Sequence, residues 1–173
     1  MAVTLGRDDI ISALDELVDA LAESGARSQI HLIGGAAITI AYSRAVTTTD
    51  VDAFYGGDVA VCEAVKDIAA RRGWPENWLN DRANQFRSHF EQPDDWMELT
   101  VNDGVVVRVA SARLLLAMKL LAARGRRDSD DIDVLLDACG ITSLDEALEI
   151  YERYYPEEDL KPRARRQLER RLG

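Results

Sequence analysis

The sequence predicts a small α/β domain with a mixed sheet and a helical C-terminal part. Three observations carry this reading. Short β-rich runs fall early and centrally in the 173 residues. Segments with apolar residues at helical spacing flank and follow them. Glycine-containing turns separate the strand candidates, and Gly or Pro closes most of the helical ones. Residues 1–110 read as an α/β core, and residues 111–173 as a helical part with a basic tail.

The elements follow in order. Asp8 or Asp9 can cap a first helix, in which Ile10, Leu14, Leu17, Val18 and Leu21 share one face and which Gly25 stops. Gln29 to Ile33 reads as a short strand. Gly34-Gly35 makes a turn, and Ala36 to Tyr42 a helix of small and apolar residues. Thr47 to Phe54 is β-rich and closed by Gly56-Gly57. Val59 to Arg72 repeats the helical pattern through Val61, Val65, Ile68 and Ala69. Residues 75–95 have no period. Trp96–Val101 and Val105–Val109 read as a hairpin joined by Asn102-Asp103-Gly104. Ser111 caps a helix to about Ala123, Asp128 caps the next, and Gly140 stops it. Ser143 with Glu146 forms a capping box for a helix ended by Pro156, and the arginine-rich tail reads as one more helix.

Composition narrows the function. The chain is 47% hydrophobic, enough for a core, and its formal net charge is −10. That excludes a non-specific nucleic-acid coat, in which phosphate neutralisation dominates. The charge is bipolar, however. The tail from Lys161 holds six basic residues against Glu169, and Arg124, Arg126 and Arg127 add to them. This suits a protein that meets a polyanion at one place. Cys62 and Cys139 belong to no metal-binding spacing and read as small buried hydrophobes in a reducing cytoplasm. No apolar run is long enough for a membrane span, and the N-terminal sequence does not read as a signal or transit peptide.

Two segments carry chemistry. In HLIGGAAITIAYSRAVTTTDVDAFY, the pair Gly34-Gly35 lets backbone N–H groups approach a phosphate at a helix start, although a purely structural turn would also use glycine. Asp50 and Asp52 stand two apart, so a regular strand puts both carboxylates on one face. A divalent cation between them compensates their repulsion; turn-forming aspartates at an exposed strand end are the competing reading. Arg44 precedes them and can pair with a carboxylate or a triphosphate. In RLLLAMKLLAARGRRDSDDIDVLL, Lys119 interrupts an apolar helix face and must meet an anion or reach solvent. A hairpin of helices brings it near the start of the next helix. There Asp131 can orient it toward a phosphate, or form a structural ion pair with it, while Asp128 serves as N-cap.

Together these blocks resemble the nucleotidyltransferase toxins of the abortive-infection type, within the polymerase-beta-like nucleotidyltransferase superfamily. The matches are Gly34 and Gly35, then Asp50 and Asp52, then Lys119, then Asp128 or Asp131, over roughly residues 10–137. The resemblance implies transfer of a nucleoside monophosphate from a nucleoside triphosphate (NTP) to an acceptor hydroxyl. Mg2+ is then held by Asp50 and Asp52, with Gly34, Gly35, Arg44 and Lys119 against the triphosphate and Asp131 orienting Lys119. It further implies a transfer RNA (tRNA) 3′ end as acceptor, a cognate antitoxin as partner and a toxin–antitoxin role in the cytoplasm. Many superfamily members supply a third carboxylate from a later strand. Glu98 is the candidate here, with a surface position on an amphipathic strand as the competing reading. Trp78 or Phe86 is a candidate to stack a terminal base. A protein-modifying transferase and a non-catalytic interaction protein on the same fold are the alternatives.

Overall fold

The computed structural model describes residues 3–42 and 47–173, without the side chain of Arg127. The chain forms two compact units. One comprises Met1–Asn84 and Trp96–Ala110, the other Gln85–Asp95 and Ser111–Gly173.

The first unit holds a mixed sheet of five strands. These are β1 (Gln29–Ile33), β2 (Val51–Phe54), β3 (Leu79–Asn80), β4 (Trp96–Asn102) and β5 (Val105–Ala110), in the order β3-β2-β1-β5-β4. β1 runs antiparallel to β2 and parallel to β5, so it is the centre of the sheet. Three helices accompany it: α1 (Arg7–Glu23), α2 (Gly34–Ala41) and α3 (Val59–Arg72). Register explains the burial pattern. Leu32 lies opposite Ala53 and Val109, and Ile30 opposite Val107, so these five buried side chains share one face. The other face carries His31, Asp52, Arg108 and Glu98. Alternation along β2 thus separates Asp52 from Val51 and Ala53, although buried Ile33 and Phe54 share its face.

Local chemistry sets the ends of these elements. α1 starts two or three residues earlier than its aspartates suggest: Gly6 is the N-cap, and Asp9, in the first turn, accepts the Gly6 N–H at 2.9 Å. In the β4–β5 hairpin, Asp103 and Gly104 both have positive φ (43° and 89°), the condition for a tight turn matched to strand twist. β3 has only two residues, too few for a periodic signal, and lies in the stretch the sequence leaves irregular.

The second unit is helical: α4 (Ala112–Ala122), α5 (Arg126–Cys139), α6 (Leu144–Tyr154) and α7 (Pro162–Leu172). Ser111 caps α4 and the Ser143–Glu146 box caps α6. α5 begins earlier than Asp128. Gly125 is its N-cap, which puts Asp128 inside the first turn rather than at the cap. Gln85–Asp95 belongs with this unit, although the sequence division assigns it to residues 1–110. Its polar groups explain why. Buried Asp95 accepts the Tyr154 hydroxyl and the Ser111 N–H bonds the Asp95 carbonyl, while Ser88 Oγ donates to the Tyr154 carbonyl at 2.6 Å. Unpaired, these buried groups would each cost about 1–3 kcal/mol. Among the described residues no helix is long and apolar enough to cross a membrane.

Candidate active site

Within the first unit, the glycine–aspartate motif lies at the junction of β1, α2 and β2. β1 ends at Ile33, and Gly34 turns the chain into α2 with φ +67°. Ile33 is the register partner of Asp52. A Cβ on Gly34 would lie 2.9 Å from Asp52 Oδ2, closer than such contacts allow. Glycine is therefore required twice: for the left-handed backbone and for the carboxylate lying against it. Gly34→Ala is expected to cost about 1–3 kcal/mol of stability and to displace Asp52; urea denaturation and a metal titration would read the two effects.

Asp50 stands one residue before β2, so the regular strand carries only Asp52. The approach is fixed otherwise. Leu5 and Thr48 exchange backbone hydrogen bonds at 2.7 and 3.0 Å, and Thr48 Oγ1 donates to the Asp50 carbonyl. Asp50 and Asp52 are both half-buried, next to fully buried Val51. Thr49 Oγ1 lies 3.5 Å from Asp50 Oδ1. Arg44 lies outside the described residues.

Register also brings in a residue the sequence does not single out. Asn80 on β3 pairs with Asp52 and is buried, its Oδ1 accepting the Arg82 N–H at 3.1 Å. Asp81 follows it. The Tyr55 hydroxyl, just past β2, is pushed up to about 12, first by burial and then by the Asp81 charge. The edge of the sheet next to β2 is therefore acidic.

The lysine block forms within the second unit. Lys119 Nζ lies 2.9 Å from Asp128 Oδ1 and 2.8 Å from Asp131 Oδ2, and its side chain is only 8% exposed. The two acids sit three apart on α5, so one helix face presents both to the α4 lysine. Asp128 Oδ2 also accepts the Arg124 N–H at 2.7 Å, which closes the turn between the helices. Burial works against the charged Asp128, but Lys119 and Arg124 outweigh it and hold the carboxyl below its ordinary value. Among the described residues these two acceptors engage Nζ, and an ammonium carries three N–H donors.

Residues 9–167 match the family described as "nucleotidyltransferase of unknown function" (DUF6036). The chain belongs to this family. No curated protein and no solved structure matches it. Membership supports a transferase acting on nucleoside triphosphates, typically with a divalent metal, and a small nucleotidyltransferase-like core agrees with the mixed sheet.

Two of the sequence assignments for this nucleotidyltransferase-family chain do not fit the geometry. Glu98 lies on β4, three strand spacings from β2, which puts it about 14 Å from Asp52 across the sheet. That distance rules out a shared cation. Glu98 is instead 61% exposed and 3.6 Å from Arg108, its register partner on β5. Glu98→Gln is accordingly expected to leave Mg2+ affinity unchanged within twofold, checked by calorimetric titration beside Asp52→Asn. Trp78 cannot stack a base either. It is fully buried, and its indole N–H donates to the Val65 carbonyl at 3.0 Å. Phe86 is half-buried, and its carbonyl accepts the Tyr155 hydroxyl.

The donor set fits magnesium in one particular way. Among the described residues no group of three or more His, Cys, Asp or Glu side chains is gathered to hold a cation unaided. Magnesium is commonly bound by one or two carboxylates together with substrate phosphates and water. Asp50 and Asp52 are the two carboxylates that would be offered to it, and the absence of a side chain at Gly34 leaves room for the second of them.

Proposed function

We propose that the chain is a magnesium-dependent nucleotidyltransferase. It transfers a nucleoside monophosphate from an NTP to an acceptor hydroxyl on the 3′ end of a tRNA. Its proposed setting is a cytoplasmic toxin–antitoxin pair, with a cognate antitoxin as partner. The observation that carries the reaction class is the Asp52 carboxylate seated against Gly34 at the start of α2, in a chain of a nucleotidyltransferase family.

In this reaction the acceptor oxygen bonds to the α-phosphorus. The bond from that phosphorus to the bridging oxygen breaks, pyrophosphate leaves, and the hydroxyl proton passes to solvent. Asp50 and Asp52 are assigned the metal. When bound, the ion draws charge from the phosphates and lowers the pKa of a coordinated hydroxyl. Gly34 and Gly35 let backbone N–H groups at the start of α2 face the triphosphate. Lys119 is assigned to phosphate through the ammonium N–H that Asp128 and Asp131 leave over, with Asp131 fixing its position. Arg44 is proposed to add positive charge toward the triphosphate.

The test is titration of the protein with each of the four ribonucleoside triphosphates, with and without Mg2+. Saturable binding that needs Mg2+ and weakens in Asp52→Asn is expected. Folded protein that binds none of the four would contradict the reading.

One observation favours a second reading, a non-catalytic interaction protein on the same fold. Met97, Leu99 and Val101 on the edge strand β4 are 47%, 37% and 54% exposed, and an exposed apolar edge strand is a pairing surface. Failure of every triphosphate to bind would favour it.

A further inference from the structure

The second unit has a cleft of about 860 Å3 between the start of α5 and one side of α7. Four arginines line it: Arg126, Arg163, Arg166 and Arg170. The last three recur at i, i+3 and i+7 on α7, so one helix face presents them together. Asp130 and Glu169 are the acids of the lining.

The pairing of the arginines separates this cleft from the rest of the basic tail. Arg171 of the same helix is taken by Asp137 at 2.8 Å and Asp133 at 3.6 Å, Arg165 lies 3.7 Å from Glu169, and Arg124 3.3 Å from Asp128. Among the described residues no carboxylate pairs with Arg126, Arg163, Arg166 or Arg170. In a chain of net charge −10, four unpaired guanidiniums in one concavity concentrate positive potential where an anion can enter.

The shape of the cleft is fixed by the backbone. Gly125 has φ +88°, and a Cβ there would come 2.4 Å from a terminal nitrogen of Arg163. Only glycine lets that guanidinium lie over the start of α5. Gln167 Nε2 donates to both the carbonyl and the hydroxyl of Ser129 at 3.0 Å, tying α7 to α5.

We infer that this cleft receives the phosphodiester backbone of an RNA. Guanidinium forks match phosphate oxygens in pairs. Arg163 to Arg170 extend over about 10 Å of helix, a row suited to a polymer with repeating charge rather than to one phosphate group. No aromatic ring lines the cleft, so it offers the bases no stacking surface and contacts the backbone alone. The choice of RNA rests on the proposed acceptor; the site itself does not depend on transfer.

Fluorescence anisotropy of labelled bulk tRNA with the full chain, without triphosphate or Mg2+, tests this. Replacing the exposed pair as R166Q/R170Q should weaken binding about tenfold or more at physiological salt. It should also flatten the dependence of log K on log salt by about one unit per arginine. R165Q/R171Q makes the same charge change at arginines that already have partners and is expected to cost less than about threefold. Equal losses in both variants, no loss in the first, or no binding of tRNA by the unaltered chain would overturn the inference. Asp52→Asn should bind tRNA normally, so a failed transfer reaction and a failed RNA site give different results.

Discussion

Asp52→Asn is expected to lower nucleotidyl transfer by on the order of 10³-fold while leaving the fold intact. The amide keeps the shape of the side chain, and Asp52 is only half-buried, so packing changes little. What is lost is one of two anionic oxygen donors. On the proposed reading, with Glu98 too far away to serve as a third carboxylate, neither of the two is redundant. Asp50→Asn should act in the same direction. Its loss is expected to be smaller, because Asp50 precedes the strand and is not held against Gly34. Circular dichroism and a urea melt would separate loss of chemistry from loss of structure.

Lys119→Met is expected to destabilise the second unit by about 2–4 kcal/mol, because it removes the ammonium that buried Asp128 and Asp131 share, while Arg124 stays with Asp128. The two aspartate side chains are 1% and 2% exposed. The methionine nearly preserves volume, so the cost is electrostatic. Adding Asp128→Asn and Asp131→Asn to the same chain should recover much of it. The acid limb has a definite sign. Asp128 is held below its unfolded value, so its contribution is fully present above about pH 3.9 and is lost as pH falls through the folded value. Stability measured between pH 6 and pH 2 should therefore fall in the unaltered chain and change less in Asp128→Asn.

Much of the fold is legible in the sequence because its signals are local. The limits of β1, the β4–β5 hairpin, the Ser111 and Ser143 caps and the arginine-rich last helix rest on residues within one turn or one strand of each other. The glycine and the aspartate are each visible in sequence, but their meeting depends on pairing across strands, since Gly34 follows Ile33, the register partner of Asp52. The losses are non-local. The distance of Glu98 from Asp52 depends on strand order, which spacing along the chain does not reveal. Asn80 reaches Asp52 through a two-residue strand with no period. Asp128 reads as a cap because an acid before a helix usually is one, whereas Gly125 takes that place and frees the carboxylate for Lys119. Trp78 stays open between base stacking and the core in sequence, because an aromatic in an irregular stretch gives no sign of its burial. The arginines of the tail look alike in sequence, and only the positions of their carboxylate partners divide them into neutralised and open sets.

The most direct measurement of the central claim is incubation of the protein with each α-labelled triphosphate, Mg2+ and bulk tRNA. Label in the RNA and released pyrophosphate are followed together. The account predicts that at least one triphosphate gives equal amounts of both, and that chelation of the metal or Asp52→Asn abolishes both. Folded protein that releases no pyrophosphate and labels no RNA with any of the four triphosphates would contradict it.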